Sequence, residues 1–295
     1  MANSKVYDGK INTVTLSAMR LSSALLCGAP VKYPQKSTLN EFFNVMTSKI
    51  PDSTERPTIK YMCIGMKGHT AELGEDDIYD FVPYGKKASY SGMFKAMPFV
   101  LRRMDNDLTD TQRANYAFRI KENIGGVDYW AYYLKRIDMR SVETTDYDIR
   151  RVDGEEQVDT FVYTDNELYP TPAVLPDFNY DDDGTVELPD GRYAKSSVEL
   201  SIAWDDFDVT EYMNVCAIKR GSSSSSIVSE IAICSGLDAT ATGESATGSA
   251  FSYEEAIGVQ ALYYIDLYAN LAVTNDNLAL TISIGQTVPF WLGPS

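Results

Sequence analysis

The stretch that decides the fold runs Ile124-Gly-Gly-Val-Asp-Tyr-Trp-Ala-Tyr-Tyr-Leu-Lys-Arg-Ile-Asp138. Its Gly-Gly pair is typical of a tight β-hairpin turn, because glycine accepts the positive φ angles that such turns require. The side chains then alternate between two faces, which carry Trp130, Tyr132 and Leu134, and Tyr129, Ala131 and Tyr133. Since both faces are aromatic, the sequence predicts a strand that the rest of the protein covers on both sides.

The same strand pattern continues toward the C-terminal end. Period-two alternation or short apolar runs predict four further strands, at Val198–Trp204, Ile227–Cys234, Ile257–Leu267 and Leu278–Ile284. Part of the third run also fits a helical period, and we favour a strand there.

Three segments interrupt these strands. Asp205 or Asp206 can cap a short helix that reaches Cys216. Gly221 and the five serines at 222–226 predict a flexible loop. Residues Leu237–Ala250 contain little besides alanine, threonine, glycine and serine, so we expect an exposed loop that a neighbouring molecule orders.

The N-terminal part mixes helices and strands. Thr15–Leu26 reads as a helix that Gly28 ends, and a capping box at Thr38 opens a second helix with an apolar stripe up to Ile50. A strand is predicted at Thr58–Met66, followed by a Gly-flanked turn that contains His69 and by a loop over Asp76–Ala96. Pro98–Arg103 is a short apolar run, and Leu108–Arg119 fits either a helix or a strand. A last short strand is predicted at Thr160–Tyr163.

Proline and aspartate mark the main break in composition, between Tyr169 and Gly191. We therefore predict an α+β fold: a mixed α/β region with N-terminal helices over 1–168, a linker or loop over 169–192, and a mainly antiparallel, sandwich-like β region with long exposed loops over 193–295. The chain ends in Pro289, Phe290, Trp291 and Leu292, large apolar residues that are expected to dock on something.

The composition narrows the function. The 295 residues carry a formal charge of -16, which disfavours nucleic acid and anionic membranes as partners. No apolar run reaches the roughly 18 to 20 residues of a membrane span, and residues 1–8 lack a signal-peptide pattern, so we expect assembly in the cytoplasm.

Enzyme chemistry finds little support in the sequence. His69 is the single histidine, and the four cysteines, which form no CxxC pair, read as free and mostly buried thiols. Neither a GxSxG motif nor a phosphate-binding glycine loop occurs. Carboxylate pairs are numerous, but abundance alone does not make a glycosidase site. We predict no catalytic residue and no cofactor.

One acidic loop fits a calcium-binding template. Asn179, Asp181, Asp183, Gly184, Thr185, Glu187 and Asp190 fall at positions 1, 3, 5, 6, 7, 9 and 12 of that template. Position 12 is an aspartate instead of the usual glutamate, and Pro176 and Pro189 oppose flanking helices. A solvated acidic turn is therefore favoured over a metal site at Asp181, Asp183 and Asp190.

Twenty tyrosines and three tryptophans favour a large protein–protein interface, since these side chains supply contact area at low entropic cost. An ordinary aromatic core is the alternative explanation.

Two groups of segments resemble a known family. The first comprises Pro98–Thr109, Arg113–Arg119 and Ile124–Asp138, and the second comprises Val198–Ile202, Val215–Ile218 and Ile227–Asp238. Together they resemble virion structural proteins of tailed bacteriophages, of the kind placed at the neck or head–tail connection (collar). The similarity spans roughly residues 95 to 290.

This resemblance implies a non-enzymatic subunit of the virion, one of several identical copies in a ring. It implies contacts with portal, connector, tail or collar proteins, with no specific nucleic acid and no membrane. Two alternatives stay open: a tail, baseplate or decoration protein of the virion, and a carbohydrate- or calcium-binding β module.

Overall fold

A computed structural model describes residues 11–33, 51–65, 69–73, 79–83, 96–140, 142–160, 179–180, 186–187, 190–244, 248–272 and 278–289. Within these ranges the fold is mostly antiparallel β-sheet with few helices. In chain order the elements are β1 (Ile11–Val14), α1 (Leu16–Cys27), β2 (Thr58–Gly65), β3 (His69–Leu73), β4 (Tyr79–Pro83), β5 (Ala96–Met97), β6 (Val100–Arg103), α2 (Asp110–Arg113), β7 (Tyr116–Ile124), β8 (Val127–Arg136), β9 (Thr144–Val152), β10 (Glu155–Thr160), β11 (Asn179–Tyr180), β12 (Val186–Glu187), β13 (Gly191–Trp204), α3 (Asp206–Arg220), β14 (Ile227–Glu244), β15 (Ala250–Ala272) and β16 (Leu278–Pro289).

Two compact units divide the chain, and both are discontinuous in sequence. The first holds residues 1–137 and 203–278, and the second holds 138–202 and 279–295. The boundaries predicted at 168 and 193 both fall inside the second unit. Strands from both predicted regions share one sheet, because β2 and β8 are joined to β14 and β15. The sandwich-like packing after residue 193 stays a prediction.

The first unit is built on an eight-stranded sheet in the order β1-β15-β14-β2-β8-β6, with β5 paired to β2 and β7 paired to β8. The predicted Gly-Gly turn joins β7 to β8, and both glycines have positive φ, at 60° and 84°. Ala131 to Leu134 are buried, as the aromatic alternation predicted. The segment left open between helix and strand contains both, the single turn α2 and then β7.

Helix α3 covers an aromatic part of this core. Asp205 caps its N-terminus in a capping box with Asp208, and Gly221 ends it with a φ of 82°. The helix therefore extends past Cys216, where the prediction ended it. The ring of Trp204 lies edge-on to Tyr212, with centroids 5.4 Å apart, and 5.6 Å from Phe99. Such pairs add to the stabilisation that burial of their area provides.

The N-terminal helix was predicted correctly. Thr15 caps α1 by accepting a hydrogen bond from the amide of Ala18, and Gly28 ends the helix in the left-handed conformation. The second helix predicted, over 38–50, lies outside the described residues, as do Phe290–Leu292 at the end of the chain. The strand predicted at 160–163 meets the described residues only at Thr160, which ends β10.

Two local predictions were wrong. His69 begins strand β3 and pairs with Pro83 of the neighbouring strand β4, although the glycines near His69 had indicated a turn. That pairing also places Tyr79–Pro83 in a strand inside the predicted loop. In the serine run, Ser223–Ser225 form a turn of 3₁₀ helix that Ser222 caps, and the flexibility of this loop stays a prediction.

The second unit contains a four-stranded sheet in the order β10-β9-β13-β16 and the short hairpin β11–β12. Asp153 and Gly154, both with positive φ, make the two-residue turn between β9 and β10. Along β13 the predicted alternation is present, since Leu200 and Ile202 are buried and Ser201 is exposed.

Candidate interaction surfaces

The longest feature of the first unit is the hairpin of β14 and β15, whose strands contain 18 and 23 residues. Ordinary strands contain about 3 to 10 residues. On its other side β14 pairs with β2 only from Glu230 to Gly236. Beyond Gly236, residues 237–244 of β14 pair only with residues 250–257 of β15 among the described strands. We call residues 237–257 the hairpin arm.

The arm occupies the segment that the sequence predicted as an exposed loop over 237–250, so that prediction was wrong. Residues from Leu237 to Glu244 pair one by one with Ile257 back to Ala250. Thr240 and Thr242 are exposed, whereas Ala241 between them is buried. Small side chains therefore do not mark a loop here, because the partner strand supplies the large residues that pack.

Two arginines of the first unit hold the arm by stacking on its aromatic rings. The guanidinium carbon of Arg113 lies 4.1 Å from the ring centroid of Phe251. That of Arg119 lies 4.2 Å from the ring of Trp130, 5.0 Å from Phe251 and 5.1 Å from Tyr253. These are cation–π distances. The arginine side chains are only 11% and 6% exposed, so the stacks are shielded from water.

Asp107 pairs with both arginines. Its Oδ2 atom lies 3.1 Å from Arg113 Nη2 and 3.1 Å from Arg119 Nη1. Tyr132 donates its hydroxyl to Asp107 Oδ1 at 2.5 Å. Burial, followed by this hydrogen bond, raises the pKa of Tyr132 to about 12, so its hydroxyl stays protonated as a donor. The cluster uses its charges internally and is a structural clamp.

A second anchor lies at the base of the arm. Asp238 accepts hydrogen bonds from the Tyr61 hydroxyl at 2.7 Å and from Arg136 Nη1 at 2.5 Å, and Lys60 Nζ is 3.1 Å away. Burial alone would raise the pKa of Asp238, but the hydrogen bonds from Tyr61 and Arg136 outweigh it and hold that pKa below its usual value. Arg136 Nη2 also donates to the carbonyl of Glu254, which ties both arm strands to the sheet.

A cleft of about 280 Å³ lies beside this anchor. It is lined by Asp110, Arg113, Ala114, Tyr116, Arg136, Asp238, Ser252, Tyr253 and Glu254. Its charged side chains already have partners: Arg136 pairs with Asp238, Arg113 with Asp110 at 3.0 Å, and Glu254 accepts a hydrogen bond from Thr240 at 3.0 Å. Within the described residues, no three histidine, cysteine or acidic side chains are grouped to hold a metal ion.

The outer edge of the arm differs from this charged base. Residues 239–243 read Ala-Thr-Ala-Thr-Gly, and the nearest charged residues in sequence are Asp238 and Glu244. Two charged side chains of other strands lie beside this segment, since Glu254 accepts a hydrogen bond from Thr240 at 3.0 Å and Arg119 lies against Gly243. On the side of β14 that faces away from β15, no strand pairs with residues 239–243 in the part of the chain that the structure describes. Proteins usually protect such edges with charged residues, proline or bulges, because open backbone groups pair with any available strand. This edge has none of these over five residues.

The calcium-loop residues are only partly described. Asn179 pairs with Glu187 in the β11–β12 hairpin, and Asp181 and Asp183 lie outside the described residues. Asp190 accepts hydrogen bonds from the amides of Asp153 and Gly154 at 3.0 and 3.3 Å, so it holds the β9–β10 turn. Calcium binding at this loop stays a prediction.

Three of the four cysteines are buried, as predicted. The Sγ atoms of Cys63 on β2 and Cys234 on β14 lie 4.0 Å apart as free thiols. Burial raises the pKa of Cys234, which keeps this thiol protonated and unreactive. Cys216 is buried as well, and Cys27 is exposed.

Comparison with known protein families shows which family the chain belongs to. The model of a family of unknown function, DUF7208, matches residues 1–295. The chain belongs to this family. Neither the curated proteins nor the solved structures contain a match. None of the described helices combines the length and hydropathy needed to span a bilayer.

Sequence reasoning missed the clamp, although a signal for it exists. Phe251 and Tyr253 alternate with Ser252 and Glu254, which is a strand pattern that begins six residues before the strand predicted at Ile257. Their arginine partners lie more than 130 residues earlier in the chain, and no local pattern connects the two.

Proposed function

We propose that the chain is a non-enzymatic structural subunit of a tailed-phage virion, a neck or head–tail connector protein that forms a ring of identical copies. Its other partners would be portal, connector, tail or collar proteins, and its location the virion after assembly in the host cytoplasm. The observation that carries the proposal is the edge at residues 239–243 of the hairpin arm, with which no other strand of the described residues pairs on the side away from β15.

The arm supports this function because side-chain contacts anchor both its base and its aromatic strand to the first unit. Its base is tied to the sheet through Asp238 and Arg136, and its aromatic strand is held by the Arg113 and Arg119 stacks. A rigid edge loses little conformational entropy when it binds, so more of the contact energy appears as affinity.

A strand of a neighbouring subunit fits this edge through backbone hydrogen bonds. Each bond contributes about 0.5–1.5 kcal/mol net, so five residues of edge give a contact of moderate strength. Head-to-tail contacts of this kind close into a ring when the rotation between copies permits it. The likeness of residues 98–138 and 198–238 to virion structural proteins supports the choice of a phage ring among such assemblies.

The charge of the chain is compatible with this role. A formal charge of -16 would repel DNA that passes through a ring, so the nucleic acid would not adhere to the subunits. The same charge opposes assembly at low ionic strength. Added salt should therefore promote ring formation.

The test compares oligomer mass and amide exchange in the full chain and in charged variants of the edge. Thr240→Lys with Thr242→Lys places two charges at exposed positions of the edge, and the matched control Thr210→Lys with Asn214→Lys places two on the exposed side of α3. We expect a large oligomer in the unmodified chain and in the control, with slow amide exchange over 239–243. The edge variant should be monomeric and folded. An unmodified chain that remains monomeric at tens of micromolar, or an edge variant that still assembles, would overturn the proposal.

A further inference from the structure

Helix α1 has two apolar faces, and the described residues cover only one of them. Ala18 and Leu21 are buried against Leu262 of β15, with Val31, Ile59 and Tyr263 around them. On the opposite side Leu16, Met19 and Leu26 are 68%, 61% and 89% exposed. A helix that only had to cover its sheet would carry polar residues on that side.

The exposed residues form one seam with coiled-coil spacing. Leu16, Met19, Ser23 and Leu26 are separated by three, four and three residues, which is the spacing of the core positions in a heptad repeat. At 100° per residue they fall within an arc of about 80°. Ser23 donates its hydroxyl to the carbonyl of Met19 at 3.0 Å, so the seam can be buried without leaving this donor unpaired.

We infer that this seam, Leu16-Met19-Ser23-Leu26, packs antiparallel against the same seam of a second copy of the chain. The spacing reads the same in both directions, so a two-fold axis at position 21 places Leu16 opposite Leu26 of the partner and Met19 opposite Ser23 of the partner. The two leucines then face each other, and Met19 fills the space above the small serine. A two-fold contact requires this kind of self-complementarity.

Charge favours a second copy as the occupant. The chain carries -16 overall, so two copies repel over most of their surface. Helix α1 contains no acidic residue and one basic residue, Arg20, so the seam is a place where identical copies approach with little repulsion. Antiparallel helices also align their macrodipoles favourably.

The contact is small. Three exposed side chains cover well below the roughly 800 Å² per partner of a standard interface, so we expect a dimer with a Kd on the order of 10 μM or weaker. Salt should strengthen it by screening the net charge. The inference does not rest on the proposed function, because it concerns a different element and a different symmetry from the arm.

The first test is sedimentation velocity of the full chain in the Thr240→Lys/Thr242→Lys background, which removes the arm contact. Met19→Lys lowers the net negative charge but places an ammonium group in the seam. Thr210→Lys adds the same charge at an exposed position on α3, away from the seam. We expect dimer in the background chain and in the Thr210 variant, and at least a tenfold weaker dimer in the Met19 variant. A background chain that stays monomeric up to millimolar concentration would overturn the inference.

The second test determines the orientation. In a Cys27→Ser background, chains with Met19→Cys and chains with Ser23→Cys are oxidised with glutathione disulfide, separately and as a mixture. We expect the mixture to form several times more disulfide-linked dimer than either chain alone. Stronger linkage within one variant alone would indicate parallel pairing and overturn the inference. So would slow maleimide labelling of Met19→Cys in a monomer, which would show that the chain covers the seam itself.

Discussion

Lys135 on β8 and Asp208 on α3 form a buried ion pair, with Lys135 Nζ 2.5 Å and 2.6 Å from the two carboxylate oxygens. Their side chains are 12% and 6% exposed. Tyr116 donates its hydroxyl to the same carboxylate at 3.1 Å. The pair joins the helix to the sheet of the first unit and satisfies charges that would otherwise be costly to bury.

Removing one partner of this pair should destabilise the first unit strongly. Lys135→Met leaves the Asp208 carboxylate buried without its cation, and we expect a loss of about 3 kcal/mol in the free energy of unfolding, measured in urea. Arg103→Ala is the control, because the Arg103–Asp105 pair is 64% and 69% exposed and should contribute less than about 1 kcal/mol. Equal effects of the two substitutions would contradict the burial argument.

The clamp predicts a difference between neighbouring cations on β7. Arg119→Met removes the stacks on Trp130 and Phe251 and leaves Asp107 with one arginine, so we expect a loss of about 2–4 kcal/mol and faster amide exchange in the arm. Lys121→Met, whose side chain is 52% exposed, should change stability by less than about 0.5 kcal/mol. Unchanged exchange in the Arg119 variant would show that the clamp does not hold the arm.

Gly285 on β16 should not tolerate a larger side chain. A Cβ atom at this position would lie 2.2 Å from the carbonyl oxygen of Ser196 and 2.6 Å from Cβ of Ser197, so backbone must move. We expect Gly285→Ala to destabilise the second unit by about 1–3 kcal/mol, measured by thermal unfolding. Ser283→Ala, at an exposed position of the same strand, is the control and should have little effect.

Asp148 should make the second unit sensitive to acid. A hydrogen bond from Arg192 at 2.7 Å is the main cause that lowers the pKa of Asp148 below its usual 3.8, with Arg150 as a second donor. Because the pKa of Asp148 is lower in the folded state than in the unfolded state, its ion pairs stabilise the fold at pH values above the unfolded-state pKa. This stabilisation is lost as pH falls through the folded-state pKa.

The corresponding measurement is the free energy of unfolding of Asp148→Asn from pH 7 to pH 2. The deficit of the variant relative to the unmodified chain should be largest at neutral pH and should shrink below pH 3.8. Asp159→Asn, on the exposed strand β10, serves as the control and should show little deficit at any pH. A deficit for Asp148→Asn that does not change with pH would mean that the lost contacts are not ionic.

Local signals in the sequence predicted the elements that local interactions determine. Thr15 and Gly28 bound α1, Gly125 and Gly126 turn the β7–β8 hairpin, and alternation marks β13. Asp153-Gly154 is an equally strong hairpin signal, and it makes the β9–β10 turn.

Elements that depend on distant partners were not predicted. The arm strand at 237–244 is poor in apolar residues, and it is a strand because Phe251, Tyr253 and the arginines of another hairpin pack beside it. His69 is likewise placed by pairing with Pro83 rather than by its glycine neighbours. The division into discontinuous units arises from sheet order, which composition does not encode.

The central claim is that the chain is a ring-forming subunit at the phage neck. If the proposal holds, a phage genome encodes the chain, and electron microscopy of purified virions of that phage, with peptide mass spectrometry of the same particles, tests the claim most directly. We predict a closed ring of copies at the head–tail junction, with residues 239–243 paired to a neighbouring strand. Virions that lack the chain, or that carry it elsewhere with this edge facing solvent, would contradict the claim.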